Sequence, residues 1–139
     1  MTITVTDGSN YFKGLLLLMR KDRKIARSEI EMMKRIGKKL GFEREFCERA
    51  IHEILDNTYL VDVPPTFSSR ELATRFIKDG LVLAFSDDEN HPSEVEWLRR
   101  TAENHGLDAA WFRQETENAS KTKQPPSLMQ VDDLTVKYS

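Results

Sequence analysis

Cysteine and long apolar runs are scarce in this chain, and each shortage excludes a class of protein. The single cysteine, Cys47, excludes an intramolecular disulfide and a cysteine-rich zinc site. It lies in an apolar helical pattern, which predicts a buried structural thiol. The apolar stretch Leu15–Met19 is much shorter than the ~20 residues that a membrane-spanning helix needs, and the N-terminus lacks the features of a secretory signal. We therefore expect a cytoplasmic protein without direct membrane insertion.

The sequence motifs of common enzyme classes are also missing. There is no glycine-rich phosphate loop, no serine nucleophile elbow and no His-Glu-x-x-His helix. The histidines, His52, His91 and His105, do not have metal-ligand spacing, and His105 falls on an apolar helix face, which predicts a packing role. His52, Glu53 and Asp56 form a polar cluster that a solvated helix face explains at least as well. We expect no enzyme activity, with a metal-assisted hydrolase as a minor alternative.

No charge of one sign dominates the chain. Its 139 residues have a formal net charge of −2, which argues against a nucleic-acid binder. The 39% of hydrophobic residues is enough for one core without a second domain. The charges are unevenly distributed, since residues 1–57 carry 12 Lys and Arg against 9 Asp and Glu, whereas residues 58–139 carry 9 against 14. This asymmetry predicts an electrically dipolar molecule.

The most informative feature that the sequence does contain is an ungapped internal repeat with an offset of 65 positions. Nine pairs of residues are identical between residues 11–47 and 76–112. They are Lys13 and Lys78, Leu16 and Leu81, Leu18 and Leu83, Asp22 and Asp87, Ser28 and Ser93, Glu29 and Glu94, Glu31 and Glu96, Arg35 and Arg100, and Gly41 and Gly106. A long unit present only twice indicates duplication of a helical module inside one domain rather than an open solenoid.

The apolar pattern of each copy predicts three helices. A mostly apolar helix is followed by a polar loop, by an amphipathic helix that ends at Gly41 or Gly106, and by a third helix. Pro64-Pro65 cannot lie inside a helix and therefore links the two copies. Four leucines are expected to be buried where the copies meet: Leu16, Leu18, Leu81 and Leu83.

These patterns predict an all-α fold in which two pseudo-repeated three-helix units pack into one compact helical domain. The domain is predicted over residues 10–119, with the repeats at about 10–57 and 70–118. Residues 1–9 are predicted to form an N-terminal arm. Residues 120–139 are predicted to be a C-terminal tether with a possible short strand, because Leu134–Tyr138 alternates β-branched residues after a Pro-containing stretch.

The two polar loops carry the candidate functional residues. Each begins with an Asp and has a Glu seven residues later, Asp22 with Glu29 and Asp87 with Glu94. Because Pro92 suits the first position of a helix, Glu94 falls in the first turn, where its charge complements the positive helix end by about 0.3–1 kcal/mol. A helix cap therefore explains the conserved spacing within the repeat, and a cation site is the alternative.

The second loop is the better candidate for a cation site, because it concentrates oxygen ligands suited to calcium or magnesium. These are Asp87, Asp88, Glu89, Asn90 and Glu94. The loop is not an EF-hand, which needs glycine at its sixth position and Glu at its twelfth. The first loop would repel a cation and is instead a candidate docking surface for a protein partner, with Arg20, Lys21, Arg23, Lys24 and Arg27.

In these two loops the chain resembles the tellurite-resistance TerB-like family. That family has two duplicated helical halves, each with a motif of the form Ala-Asp-Gly-x-Ile-x-x-x-Glu between a buried helix and an amphipathic one. The matching residues are Asp22, Ile25 and Glu29 in the first motif and Asp87 and Glu94 in the second. The family's pattern is replaced at Arg23, Asp88 and Asn90. The resemblance covers about residues 10–118.

The resemblance implies an all-α domain associated with bacterial responses to tellurite and other chemical stress. It also implies acidic residues suspected of binding a divalent cation, and no established catalytic activity. The related domain occurs attached to membrane-anchored J-domain co-chaperones, so the implied partners are proteins of a stress-response or membrane-associated assembly. We expect a non-catalytic helical interaction module, with a divalent-cation-binding module as the alternative.

Overall fold

Helices make up most of the chain in a computed structural model, which describes residues 1–21, 27–57, 62–86, 92–122 and 129–138. These ranges contain six α-helices, one 3-10 helix and one pair of short strands. In chain order they are β1 (Thr2–Thr4), α1 (Val5–Arg20), α2 (Arg27–Lys39), α3 (Arg44–Asp56), α4 (Arg70–Ala84), α5 (Pro92–Asn104), α6 (Ala109–Thr122), the 3-10 helix (Gln130–Asp133) and β2 (Thr135–Lys137). The predicted all-α class is confirmed.

The bounds of the helices follow the repeat offset. The helices α2 and α5 begin and end at equivalent positions, and the starts of α1 and α4, at Val5 and Arg70, are equivalent as well. The third helices also begin at equivalent positions, Arg44 and Ala109. This correspondence is what a duplicated module would give, and duplication as the origin of the chain stays a prediction.

The ends of equivalent helices are capped in the same way. The side chains of Thr4 and Ser69 each accept a hydrogen bond from the N–H three residues further on, at 3.1 and 3.2 Å. Gly41 and Gly106 follow α2 and α5 with φ of 84° and 68°. This left-handed conformation is one that glycine adopts without steric cost. The predicted helix stops at these glycines are confirmed.

The core forms around α1 and α4, which contact each other. The helices α2 and α3 pack on α1, and α5 and α6 pack on α4. Leu16, Leu18 and Leu81 are buried as expected, but Leu83 is only partly buried. Leu18, at the equivalent position of α1, is buried, so the two copies differ at this position. No helix in these parts of the chain is both long and apolar enough to cross a membrane.

The two ends of the chain differ most from the predicted organisation. Residues 1–9 are not an arm, since α1 already begins at Val5 and Ile3 and Asp7 are buried. The possible short strand near the C-terminus is present as β2, which pairs with β1 in parallel, with Ile3 opposite Val136. Residues 120–122 complete α6 rather than starting a tether. Local sequence could not predict this pairing, because the partners lie at opposite ends of the chain.

Candidate functional site

A carboxylate lies in the core of the protein. Asp79, in the middle of α4, is only 1% exposed. Its oxygens accept hydrogen bonds from the hydroxyl of Tyr11 at 2.6 Å and from the backbone N–H groups of Gln130 and Val131 at 2.6 and 2.9 Å. Burial raises the pKa of Asp79 to about 6, although these three donors oppose the rise. Burial, followed by the nearby Asp79, also raises the pKa of Tyr11 well above its ordinary value.

The carboxylate of Asp79 anchors the C-terminal segment, by which we mean residues 129–138. The first N–H groups of a helix have no acceptor within that helix. At the start of the 3-10 helix, the N–H groups of Gln130 and Val131 find their acceptor in Asp79 of α4 instead. The buried acid therefore does the work of a capping residue for a segment that lies about fifty residues further along the chain.

Apolar contacts hold the same segment. Four of its side chains are buried: Met129, Val131, Leu134 and Val136. Val136 packs over Gly8 of α1, where an added Cβ would lie 3.0 Å from a methyl group of Val136. The segment contacts α1, α2, α4 and β1. We call the surface that these four elements present to it the tail groove.

Polar contacts at the rim of the tail groove connect the segment to the first half of the protein. Asp132 forms an ion pair with Arg35 of α2 at 2.9 Å. The hydroxyl of Tyr138 donates to the carbonyl of Leu40 at 2.7 Å, and its ring covers Gly41. Because Asp79 belongs to the second half, the C-terminal segment joins both halves.

Two further buried or half-buried polar groups secure the connection between the halves. Asp7 accepts hydrogen bonds from the N–H and the hydroxyl of Ser68. His105 accepts the N–H of Phe67 through Nε2 at 2.9 Å, and its Nδ1 lies 2.7 Å from the carbonyl of Thr101. This pattern requires the neutral tautomer with the proton on Nδ1. The predicted packing role of His105 is confirmed.

Two of the predicted docking residues face the connection between the halves. Arg20 and Lys21 lie 3.7 and 3.3 Å from the carboxylate of Asp62, with side chains only 17% and 15% exposed. The ammonium of Lys21 also lies 5.5 Å from the ring centroid of Trp97. The side chains of Arg20 and Lys21 are therefore already engaged in ion pairs within the chain. Arg27 is exposed at the start of α2, while Arg23 and Lys24 lie outside the described residues.

Most of the predicted cation ligands also lie outside the described residues, namely Asp87, Asp88, Glu89 and Asn90, as do Asp22 and Ile25 of the first motif. Glu29 and Glu94 lie in the first turns of α2 and α5, and neither lacks a partner group. Glu94 is buried. Within the five described ranges, no three His, Cys, Asp or Glu residues come together as metal ligands.

A cavity of about 260 Å³ lies beside Asp79, between α4 and α6. Lys78, Glu115, Asn118 and Gln130 contribute its polar lining. The oxygens of Asp79 already accept three hydrogen bonds from the protein itself. We therefore assign Asp79 to anchoring the C-terminal segment rather than to holding a ligand.

Sequence reasoning missed both Asp79 and the docking of the C-terminal segment, although each left a signal. Asp79 interrupts an apolar run in α4, and the repeat aligns it with Gly14, so the acid belongs to the second copy alone. An unmatched carboxylate on a buried helix face needs a partner. The apolar residues of the segment supply the second signal.

Comparisons with models of protein families, with curated proteins and with solved structures find no match to this chain.

Proposed function

We propose that this chain is a non-catalytic protein-interaction module whose tail groove binds an extended segment of a partner protein. The observation that carries the proposal is the mode in which residues 129–138 lie in the groove. They are held by backbone capping, strand pairing and buried apolar side chains, which are the contacts of a docked peptide.

The contacts of the C-terminal segment define the chemistry of the partner. Asp79 and β1 contact backbone groups, so they favour any segment of suitable shape. Selectivity comes from the side chains, because the groove buries Val131, Leu134 and Val136 and pairs Arg35 with an acid. The partner segment is therefore extended and apolar, with a carboxylate between the residues that take the places of Val131 and Leu134.

The chain's own segment competes with such a partner. Because the segment is covalently tethered to the body, it acts at a high effective concentration, which is of millimolar order for a short tether. The segment of a partner protein must therefore outcompete the chain's own segment for the tail groove, or the chain's own segment must first leave it. The module is therefore closed at rest, and its apparent affinity for a partner is reduced by the fraction of grooves that are occupied.

The resemblance to the tellurite-resistance family suggests the setting, a stress-response or membrane-associated assembly of proteins. Support for a non-catalytic role comes from Asp79, Asp7 and His105, whose polar atoms all bond to other parts of the chain. The divalent-cation alternative keeps Asp87–Asn90 together with Glu94 as its ligands, and a titration given below tests it.

Cleavage of the connection after folding tests the groove as a peptide site. A protease recognition sequence replaces part of residues 123–128, the folded protein is cut, and the released peptide is separated from the body. We expect the labelled peptide to rebind saturably, with a dissociation constant in the micromolar range or tighter, in fluorescence anisotropy. A body that unfolds once the peptide leaves would contradict the proposal, because the segment would then be a folding element and not a ligand.

Matched peptides provide the controls, and they cannot disturb the fold of the body. Val131→Ala removes methyl groups from a fully buried side chain and should weaken rebinding about tenfold or more. Asp132→Asn removes the ion pair with Arg35 and should weaken it about two- to fivefold. Asp133→Asn changes a neighbouring exposed side chain and should have no effect. Equal effects of the two Asn substitutions would argue against specific recognition.

A further inference from the structure

We infer that the exposed face of α2 is a second docking surface, which binds an acidic segment of a partner protein while the tail groove stays closed. This surface, which we call the basic face, consists of four cations in the second half of α2: Lys34, Arg35, Lys38 and Lys39. Lys34 is half-buried and the other three are exposed. The inference goes beyond the proposed function, because it does not require the C-terminal segment to leave the groove.

Helical spacing brings the four cations onto one side of α2. Residues four apart are neighbours on a helix surface, so Lys34 lies beside Lys38, and Arg35 lies beside Lys39. The buried residues of the helix, which face the core, are Met33, Ile36 and Gly37. The cations project from the opposite side, and together they form a compact patch of positive charge.

The second copy of the repeat provides an internal comparison for this patch. At the positions equivalent to Lys34, Arg35, Lys38 and Lys39, α5 has Arg99, Arg100, Glu103 and Asn104. Arg99 donates hydrogen bonds to Glu103 at 2.7 Å and to Glu96 at 2.7 and 2.9 Å. The exposed face of α5 therefore neutralises its own charge.

The basic face does not neutralise itself in this way, because Lys38 stands where α5 has Glu103. Lys34 has a carboxylate partner in Glu31, at the long distance of 4.0 Å. Within the part of the chain that the structure describes, Lys38 and Lys39 form no ion pair. Like charges four residues apart destabilise a helix, so the patch is unfavourable for the fold itself until an acid binds to it.

The end of the helix explains only part of this charge. Lys38 and Lys39 lie in the last turn of α2, where a cation complements the negative end of the helix. Lys34 and Arg35 lie before the last turn, where this effect is weak. A stabilising role at the helix end therefore leaves half of the basic face without an explanation.

The chain itself shows that this face accepts a carboxylate. Asp132 of the C-terminal segment pairs with Arg35 at 2.9 Å, and the side chain of Arg35 remains 44% exposed. Lys38 and Lys39, further along the helix, stay exposed when the segment is docked. Acids of a partner can therefore bind to the basic face of the closed protein.

The surroundings of the patch favour an acidic protein segment over other anionic partners. A helix that binds a membrane surface buries its apolar face in the lipid, but the apolar face of α2 is already buried in the core. A nucleic acid would extend beyond four cations toward the rest of a chain whose net charge is −2. The patch therefore fits a short segment whose carboxylates are spaced by about one helical turn, ~5–6 Å.

Binding of a labelled acidic peptide to the uncut protein tests the basic face. The probe is a peptide of repeated Glu-Ser units, and a Gln-Ser peptide of the same length is the control for charge. We expect saturable binding of the Glu-Ser peptide in fluorescence anisotropy and no binding of the control. The affinity should fall at least fivefold as the salt concentration rises from about 0.05 to about 0.3 M, because salt screens exposed charges.

Lys38→Glu gives α2 the residue that α5 has at the equivalent position. We expect it to weaken peptide binding about three- to tenfold without lowering the stability of the fold, because the new carboxylate can pair with Lys34 as Glu103 pairs with Arg99. Lys38→Gln, which removes one charge, should weaken binding about twofold. Arg113→Glu makes the same change of charge at an exposed position of α6 and should have no effect. Urea unfolding verifies that each variant is folded.

Equal losses for Lys38→Glu and Arg113→Glu would overturn the inference, because net charge rather than the basic face would then attract the peptide. Binding to vesicles rich in phosphatidylserine or to single-stranded DNA, without binding to the Glu-Ser peptide, would overturn it in favour of another anionic partner. The C-terminal segment stays attached and docked in these measurements. A failure here therefore leaves the tail groove as a peptide site, which the rebinding of the released segment tests separately.

Discussion

Tyr11 and Phe76 stand at equivalent positions of the two repeats, and their rings pack edge to face with centroids 5.2 Å apart. The first repeat has a hydroxyl where the second has none. That hydroxyl donates to Asp79, one turn further along α4 than Phe76. The pair shows how equivalent positions have diverged, since both rings fill the core and only one also binds the acid that anchors the C-terminal segment.

Replacement of Tyr11 by Phe should separate the contribution of the ring to stability from that of the hydroxyl. Tyr11→Phe keeps the apolar contacts and removes one hydrogen bond, so we expect the free energy of unfolding to fall by about 1 kcal/mol. Asp79→Ala also leaves two backbone N–H groups of the segment without their acceptor and should lower it by roughly 3 kcal/mol or more. Urea unfolding measures both. A smaller loss for Asp79→Ala than for Tyr11→Phe would contradict the anchoring role.

The stability of the protein should depend on pH through Asp79. Burial raises its pKa to about 6, above the ~3.9 of an unfolded aspartate. The folded state therefore holds this proton more tightly, so the stability that protonation of Asp79 adds is fully present below about pH 4 and is lost as pH rises through about 6. The difference in unfolding free energy between wild type and Asp79→Asn should shrink by up to about 3 kcal/mol from pH 4 to pH 7. A difference that grows with pH would show that the three donors outweigh burial.

Gly37 should not tolerate a side chain while Cys47 is present. A Cβ at Gly37 would overlap the sulfur of Cys47, so Gly37→Ala should lower the unfolding free energy by roughly 1–3 kcal/mol. Cys47→Ala alone should have a smaller effect. The double variant should recover much of the loss, because the alanine at position 47 vacates the space. Additive losses in a double-mutant cycle would argue that α2 and α3 adjust by other means.

The divalent-cation alternative has its own titration. If Asp87–Asn90 and Glu94 form a site, calorimetry with calcium or magnesium should show binding that Asp88→Asn weakens and Asp22→Asn leaves unchanged, at fixed ionic strength. The reason is that only the second loop has an excess of oxygen ligands without nearby Lys or Arg. Loss of binding with Asp22→Asn alone would place the site in the first repeat, and no heat with either metal would remove the alternative.

Local pattern was enough to predict the helices because their signals are short-range. The helical periodicity that buries Leu16 and Leu81 acts within one or two turns. The same is true of the glycines at positions 41 and 106, which follow α2 and α5. The repeat then gave each prediction a second, independent instance. The first repeat was predicted from about residue 10, whereas α1 begins at Val5, because Val5 to Asn10 has few apolar residues to indicate a helix.

The contacts that define the candidate site could not be predicted in the same way, because they are long-range. Asp79 meets its partners 51 and 52 residues further along the chain, and Arg35 meets Asp132 after 97. Nor does composition reveal that Arg20 and Lys21 meet Asp62. The basic residues of a loop are available to a partner protein only when no carboxylate from another element of the same chain already pairs with them.

The pairing of β1 with β2 has a consequence for the order in which the chain acquires its structure during synthesis. Thr2 leaves the ribosome before the six described α-helices are made, but its strand partner Thr135 follows them. Until then, β1 lacks the strand with which it pairs, and Gly8 lacks its contact with Val136. The edge of β1 and the surface that Val136 covers are therefore open to solvent or to other chains while the described helices are being made.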